Sequence, residues 1–202
     1  VFTRRMKMLS RGSDALMDRV QRAVDEVVRQ RGGLDWVVCA AGIVRDRVSW
    51  KMSDHDWGDV LAVNLTGAFH VARAAAPALR RSDCGRLVFI GSINGARGKF
   101  GQVNYAASKA GLVGMARTLA QELARDRVTV NVVSPGFIDT PMSAALTEDV
   151  RRRALSRTPL GRAGRPEEVA ALVHYLCTDI AGFITGAVVP IDGGQLLGVA
   201  ES

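Results

Sequence analysis

The sequence predicts an α/β fold, a doubly wound parallel sheet with helices on both faces, on two observations. Four short apolar runs, at 34–40, 85–92, 128–133 and 187–191, alternate with segments of helical periodicity. The first three end in Ala41-Gly42, Ser92 and Pro135-Gly136, so three candidate site elements share the carboxyl rim where such sheets bind ligands.

Each element follows in chain order. Residues 14–30 place Leu16, Val20, Ala23, Val24, Val27 and Val28 near helical spacing, with Ser13 as N-cap and Arg31-Gly32-Gly33 as the stop. Leu34 to Ala40 (LDWVVCA) is continuous and apolar, hence a buried strand. Ser53 can cap a helix from Asp54, which continues, with room for one break, through Leu61, Leu65 and Phe69 towards Arg80. Gly85 to Ser92 (GRLVFIGS) is the second strand. Tyr105 to Ala124 is a helix with Leu112, Met115, Leu119 and Leu123 in register, and Val128 to Val133 is the third strand. Thr147 caps a short charged helix through Arg157. Pro166 suits the first turn of a further helix, with Glu167 and Glu168 complementing its positive end. Ala187 to Ile191 is the fourth strand, and Gly193-Gly194 a turn. With no internal repeat and no linker, residues 1–202 are one domain.

Composition narrows the function classes. The chain is 48% hydrophobic and 23% charged, and no apolar run approaches the length of a membrane span. Arg4, Arg5, Lys7 and Arg11 make a basic start without the apolar segment of a secretory signal; an organelle transit peptide is a weaker reading. Three dispersed cysteines, Cys39, Cys84 and Cys177, suit reduced thiols in the cytoplasm. Neither they nor His55, His70 and His174 have metal-ligand spacing, so no metal is expected. The net charge of +7 fits either an acidic partner or a solvated arginine-rich surface. Nucleic acid is disfavoured, because acids interrupt the basic residues and no aromatic platform accompanies them.

The chemistry is concentrated in Ser92, Tyr105 and Lys109. Tyr105 and Lys109 lie four apart on one helix face, one turn from each other. Free tyrosine titrates near pH 10, too high for proton exchange near neutrality, and a fixed ammonium beside it favours the phenolate. A phenol tuned in this way can pass a proton to a carbonyl oxygen, which a serine hydroxyl can hold. Alone, a tyrosine and a lysine at this spacing are more often an ordinary amphipathic helix.

Together with Ala41-Gly42, Asn64 in V-N-L-T-G, Pro135-Gly136 with Thr140, and I-T-G followed by D-G-G, these residues resemble the short-chain dehydrogenase/reductase family from about residue 14 to Gly194. G-I-V-R-D-R at 42–47, K-M at 51–52 and P-L-G-R-A-G-R-P-E-E-V-A at 159–170 are similar to the 3-oxoacyl-thioester reductases within it. The resemblance implies a Rossmann-like sheet and an NADP- or NAD-dependent interconversion of a ketone and a secondary alcohol, with NADPH favoured. Tyr105 would be the proton donor, Ser92 the residue that polarises the carbonyl, and Lys109 the one that lowers the tyrosine pKa and holds the nicotinamide ribose. Asn64 would hold a water behind the lysine. Ala41, Gly42, Pro135 and Gly136 would admit the cofactor, with Ile138 and Thr140 at its carboxamide. The substrate would ride on acyl carrier protein or coenzyme A, and Arg151, Arg152 and Arg153 would meet that carrier or a phosphate, unless they are only a solvated face. The helices near 57–80 and 105–124 imply a homotetramer or dimer.

Two departures stand against the family pattern. The usual N-N-A-G is Cys39-Ala40-Ala41-Gly42, without either asparagine amide. No G-x-x-x-G-x-G phosphate turn precedes Leu34, and the chain begins at Val1, which reads as a fragment or as an alternative start codon. The fold is then expected to be truncated at its N-terminus, and the 34–40 strand left as an open edge. Poor folding or association and weak dinucleotide binding would follow, checked by titration with NADPH and NADH. The alternative function is a non-catalytic member that serves only as an oligomer partner.

Overall fold

The computed structural model describes residues 13–144 and 146–198. The basic residues Arg4, Arg5, Lys7 and Arg11 lie outside the described residues. Four strands, β1 (Trp36–Cys39), β2 (Arg86–Ile90), β3 (Thr129–Pro135) and β4 (Val188–Ile191), form one sheet in that order. All three pairings are parallel. The helices are α1 (Ser13–Arg31), α2 (Asp54–Leu61), α3 (Gly67–Leu79), α4 (Asn94–Arg97), α5 (Val103–Leu123), α6 (Pro141–Ala144), α7 (Glu148–Ser156) and α8 (Pro166–Cys177).

Two apolar clusters show both faces of the sheet covered. Leu87, Phe89, Val130 and Val132 turn towards Ala72, Ala75 and Leu79 of α3 and Leu112, Ala116 and Ala120 of α5. Val88 and Val133, at alternate positions on the same strands, turn towards Leu176 and Cys177 of α8. The small residues of α3 and α5 face the first cluster, so these helices sit close to the sheet.

One strand departs from expectation. The run at 34–40 reads as buried, yet Trp36 and Val38 are 45% and 43% exposed. β1 is at an edge of the described sheet, and on the face carrying Trp36 and Val38 the Trp36 ring touches the ring of His174 of α8 edge-on. The opposite face, Val37 and Cys39, packs into the α3 cluster. The expected open edge is therefore present among the described residues.

Helix ends follow local chemistry. The Ser53 hydroxyl accepts from the Asp56 N–H at 3.0 Å, capping α2 as expected. Thr147 stands at the N-cap of α7 but its hydroxyl makes no cap bond; Glu148 and Asp149 complement that helix end instead. Pro166 opens α8, and the Glu168 carboxylate reaches back to the Arg165 N–H at 2.7 Å. The break between α2 and α3 is a π-helical turn, Ala62–Thr66, with Asn64 buried at its centre. Such turns mark places where a helix is distorted to present a group.

Candidate active site

The carboxyl ends of β1, β2 and β3 converge as the sequence requires. The Gly91 N–H donates to Val133 O at 2.7 Å and the Ile93 N–H to Pro135 O at 3.1 Å. Ser92 is thereby clamped between two hydrogen bonds that prolong the β2–β3 ladder. Its hydroxyl accepts from the Asn94 N–H at 3.2 Å, which opens the one-turn α4.

Tyr105 lies in the first turn of α5. The buried Asn104 beside it donates to Arg45 O and Asp56 O, both at 3.1 Å, which ties the start of α5 to the loop after β1. Gln102 extends that tie, donating to Asp46 and accepting from Asn94. These three amides position the site and were not singled out from sequence; the signal was G-Q-V-N immediately ahead of Tyr105.

Lys109 is buried, 5% exposed, and its ammonium donates to Ile90 O at 2.7 Å. It stands 5.6 Å from the centroid of the Tyr105 ring. Burial pulls its pKa down to about 8, and Cys39 pulls it the other way. Cys39 is itself pushed up to about 12 by burial, with Lys109 opposing. A thiol that stays neutral to that pH offers no charge to the ammonium near neutrality, so the lowering of Lys109 is the dominant effect.

The Tyr105 pKa is raised: burial pushes it up, the Ser92 hydroxyl pulls it down, and Asp46 pushes it up again. The Lys109 ammonium stands over the Tyr105 ring and donates to Ile90 O. The Ser92 hydroxyl opposes the effect of burial on this phenol.

The Asn64 side chain is held at both its oxygen and its nitrogen. Its side-chain oxygen accepts from the Ile43 N–H at 2.8 Å, and its amide donates to Ile43 O at 3.0 Å and to Ser108 Oγ at 3.1 Å. The side chain thus pins the strand end at Ile43 onto α5. A Cβ on Gly42 would come 3.5 Å from Lys109 Nζ and 3.6 Å from Asn64 Oδ1, so Ala41-Gly42, Asn64 and Lys109 line one small hollow.

Gly136 packs against the chain after β4. A Cβ there would meet Asp192 Cβ at 2.7 Å and Asp192 Cα at 2.8 Å, so the glycine is required by the chain after β4, whatever else approaches it. Gly136→Ala is expected to destabilise the fold by about 1–3 kcal/mol through overpacking. Thermal unfolding monitored by circular dichroism checks this, and an unchanged midpoint counts against it. Ile138 bridges Gly164, and the Thr140 N–H donates to Ser143 Oγ at 2.8 Å, closing the start of α6.

A cleft of about 370 Å³ opens beside Ser92, between α4, Gly136-Phe137 and the inner face of α7. Among the described residues no helix is long and apolar enough to cross a membrane.

Comparison with known proteins shows what the chain is similar to. The family model described as Enoyl-(Acyl carrier protein) reductase matches residues 15–195. The chain is 45% identical over 180 residues to 3-oxoacyl-[acyl-carrier-protein] reductase FabG of Thermotoga maritima, covering 89% of this chain and 73% of that protein. It is 45% identical over 181 residues to 3-oxoacyl-[acyl-carrier-protein] reductase MabA of Mycobacterium tuberculosis, covering 90% and 73%. For FabG of Salmonella typhimurium the identity is 40% over 178 residues, covering 88% and 73%.

Proposed function

The chain belongs to the short-chain dehydrogenase/reductase family, and from that premise we propose that it interconverts a 3-oxoacyl thioester and its secondary alcohol with NADP or NAD as redox partner. The observation that carries the reading is the shared rim: a half-buried phenol, a serine hydroxyl acting on it, and a buried ammonium beneath.

The residues fit the nicotinamide-ribose end of such a cofactor. Lys109 Nζ has three N–H bonds and spends one on Ile90 O; the side of Gly42 facing it carries no Cβ. The remaining donors suit ribose hydroxyls, and Ile138 and Thr140, in the loop after β3, are the residues proposed for the carboxamide. A bound nicotinamide dinucleotide supplies or accepts the hydride. Tyr105, protonated because burial keeps its pKa high, gives its proton to the ketone oxygen as that oxygen gains charge. Ser92 holds the same oxygen in position. Lys109, charged below about pH 8, steadies the ribose and the ring face. The reverse sequence oxidises the alcohol.

NADPH is the proposed cofactor, acyl carrier protein or coenzyme A the proposed thiol, and the cytoplasm the proposed compartment. A homo-oligomer formed through α3 and α5 is supported by the exposed Phe69 and Val103 on those helices. The test is absorbance at 340 nm with acetoacetyl-CoA and, separately, crotonyl-CoA. Turnover of the ketone supports the reading. Turnover of the enoyl thioester alone, the activity in the family model's description, overturns it.

A further inference from the structure

A chain of hydrogen bonds runs from Ser92 to Asp46, in the loop after β1. The Gln102 amide nitrogen donates to Asp46 Oδ2 at 2.8 Å, and the Asn94 amide nitrogen donates to Gln102 Oε1 at 3.1 Å. The Asn94 backbone N–H then donates to Ser92 Oγ at 3.2 Å. Gln102 is buried, so the middle of the chain is shielded from water. Both ends fix its polarity. An ionised carboxylate only accepts, so the Gln102 nitrogen faces Asp46 and its oxygen faces Asn94. A guanidinium only donates, and Arg97 Nε donates to Asn94 Oδ1 at 3.1 Å, which leaves the Asn94 nitrogen for Gln102. Turning either amide over would set donor against donor and acceptor against acceptor.

This order reaches the phenol. The Asn94 N–H occupies a lone pair of Ser92 Oγ and leaves the serine proton free to be donated. The Ser92 hydroxyl favours the phenolate of Tyr105, as a donated proton does. We propose that Asp46 is a positioning residue of this site: through Gln102 and Asn94 it holds the Ser92 hydroxyl with its proton directed at Tyr105 and at the carbonyl oxygen to be reduced. The carbonyl part rests on the ketone-reductase reading, and the phenol part on the hydrogen bonds alone. Asp46 also acts on the phenol directly and in the opposite sense, because its negative charge disfavours the phenolate. Asp46 is exposed, so solvent screens part of that effect. The cation at the phenol is Lys109 of α5, 5.6 Å from the ring centroid. Of the arginines beside Asp46 in sequence, Arg47 is turned to Asp56 at 3.9 Å.

The test sets the two effects against each other. The chain has two tyrosines, Tyr105 and Tyr175. Ultraviolet difference absorbance of phenolate formation, with the Tyr105→Phe chain as blank, therefore follows Tyr105 without turnover. Asp46→Asn keeps an acceptor for Gln102 and removes the charge, so the Tyr105 midpoint should fall by about 0.3 of a pH unit or more. Gln102→Leu breaks the chain and keeps the charge, so the midpoint should rise, towards that of Ser92→Ala. A merely structural role would move both in one direction or neither. Circular dichroism establishes that the variants are folded. Asp46→Ala, at an exposed position, gives the same comparison if Gln102→Leu does not fold: it loses charge and chain together, and its midpoint should lie above that of Asp46→Asn. In acetoacetyl-CoA reduction at neutral pH, Asp46→Ala and Gln102→Leu should each lower kcat about tenfold while leaving the KM for the dinucleotide within about twofold. Asp46→Asn should lose less than about threefold, and Asp46→Ala/Gln102→Leu should lose no more than either single variant. A midpoint that falls or stays in folded Gln102→Leu overturns the proposal. Equal midpoints in Asp46→Ala and Asp46→Asn do so too, as do losses of kcat that add in the double variant. A chain that shows the opposed shifts but reduces no ketone keeps Asp46 as the residue that positions Ser92 against the phenol and loses the reductase reading. Ketone turnover without those shifts keeps the reading and removes Asp46.

Discussion

Tyr105→Phe is expected to lower turnover of a 3-oxoacyl thioester by about 10²- to 10⁴-fold, the range for losing a positioned proton donor. Phenylalanine keeps the ring against Lys109, so the loss isolates the hydroxyl. Stability should hardly change, since Ser92 keeps its bond from the Asn94 N–H. Dinucleotide affinity, measured by titration, should stay within a few-fold of the unsubstituted chain. The raised pKa of Tyr105 adds a directional consequence. At neutral pH the phenol is protonated and ready to donate, which suits ketone reduction. Alcohol oxidation needs the phenolate, so its rate should climb as pH rises above neutrality. Turnover within tenfold of the unsubstituted chain would remove Tyr105 from the role of acid.

The parts of this site that were legible in the sequence are those fixed by period and spacing. The apolar runs placed Ser92 and Pro135-Gly136 at strand ends, and the four-residue interval placed Tyr105 and Lys109 on one face of α5. What spacing could not supply was direction. Lys109 and Tyr105 are neighbours either way, but only the packing gives the ammonium Ile90 O as its acceptor and brings the Ser92 hydroxyl to the phenol. Gly136 was legible as a close approach, yet the partner is Asp192, which stands 56 residues further along the chain. The three consecutive arginines of α7 looked equivalent in sequence. The helical period sends two to acids and one to the cleft, whose lining also includes Arg97 and Arg157. The buried strand expectation for β1 failed because a continuous apolar run does not specify how far the covering helix extends.

Lys109→Met should stabilise the fold at neutral pH while removing activity. Burial lowers the lysine from its ordinary 10.5 to about 8, which corresponds to about 3 kcal/mol of penalty on the charged form. Below about pH 8 the lysine is charged in both folded and unfolded chains, and the fold carries the whole penalty. Between about pH 8 and 10.5 the unfolded chain binds more protons than the folded one, so stability rises with pH in that window. Above it the penalty is gone. Methionine has a similar stem and no charge to desolvate, so the variant should gain about 1–3 kcal/mol at pH 7, less whatever the lost bond to Ile90 O contributed. It should also lose the rise in stability between pH 8 and 10.5. Urea unfolding across pH 6–10 checks both points. A buried charge that weakens the fold has to be repaid by function: reduction of the ketone should slow at least 10²-fold in the variant, and in the unsubstituted chain that reduction should decline above about pH 8 as the ammonium is lost. A variant less stable than the parent at pH 7, or a parent whose stability is flat from pH 8 to 10.5, would mean that Lys109 is not desolvated as its burial implies.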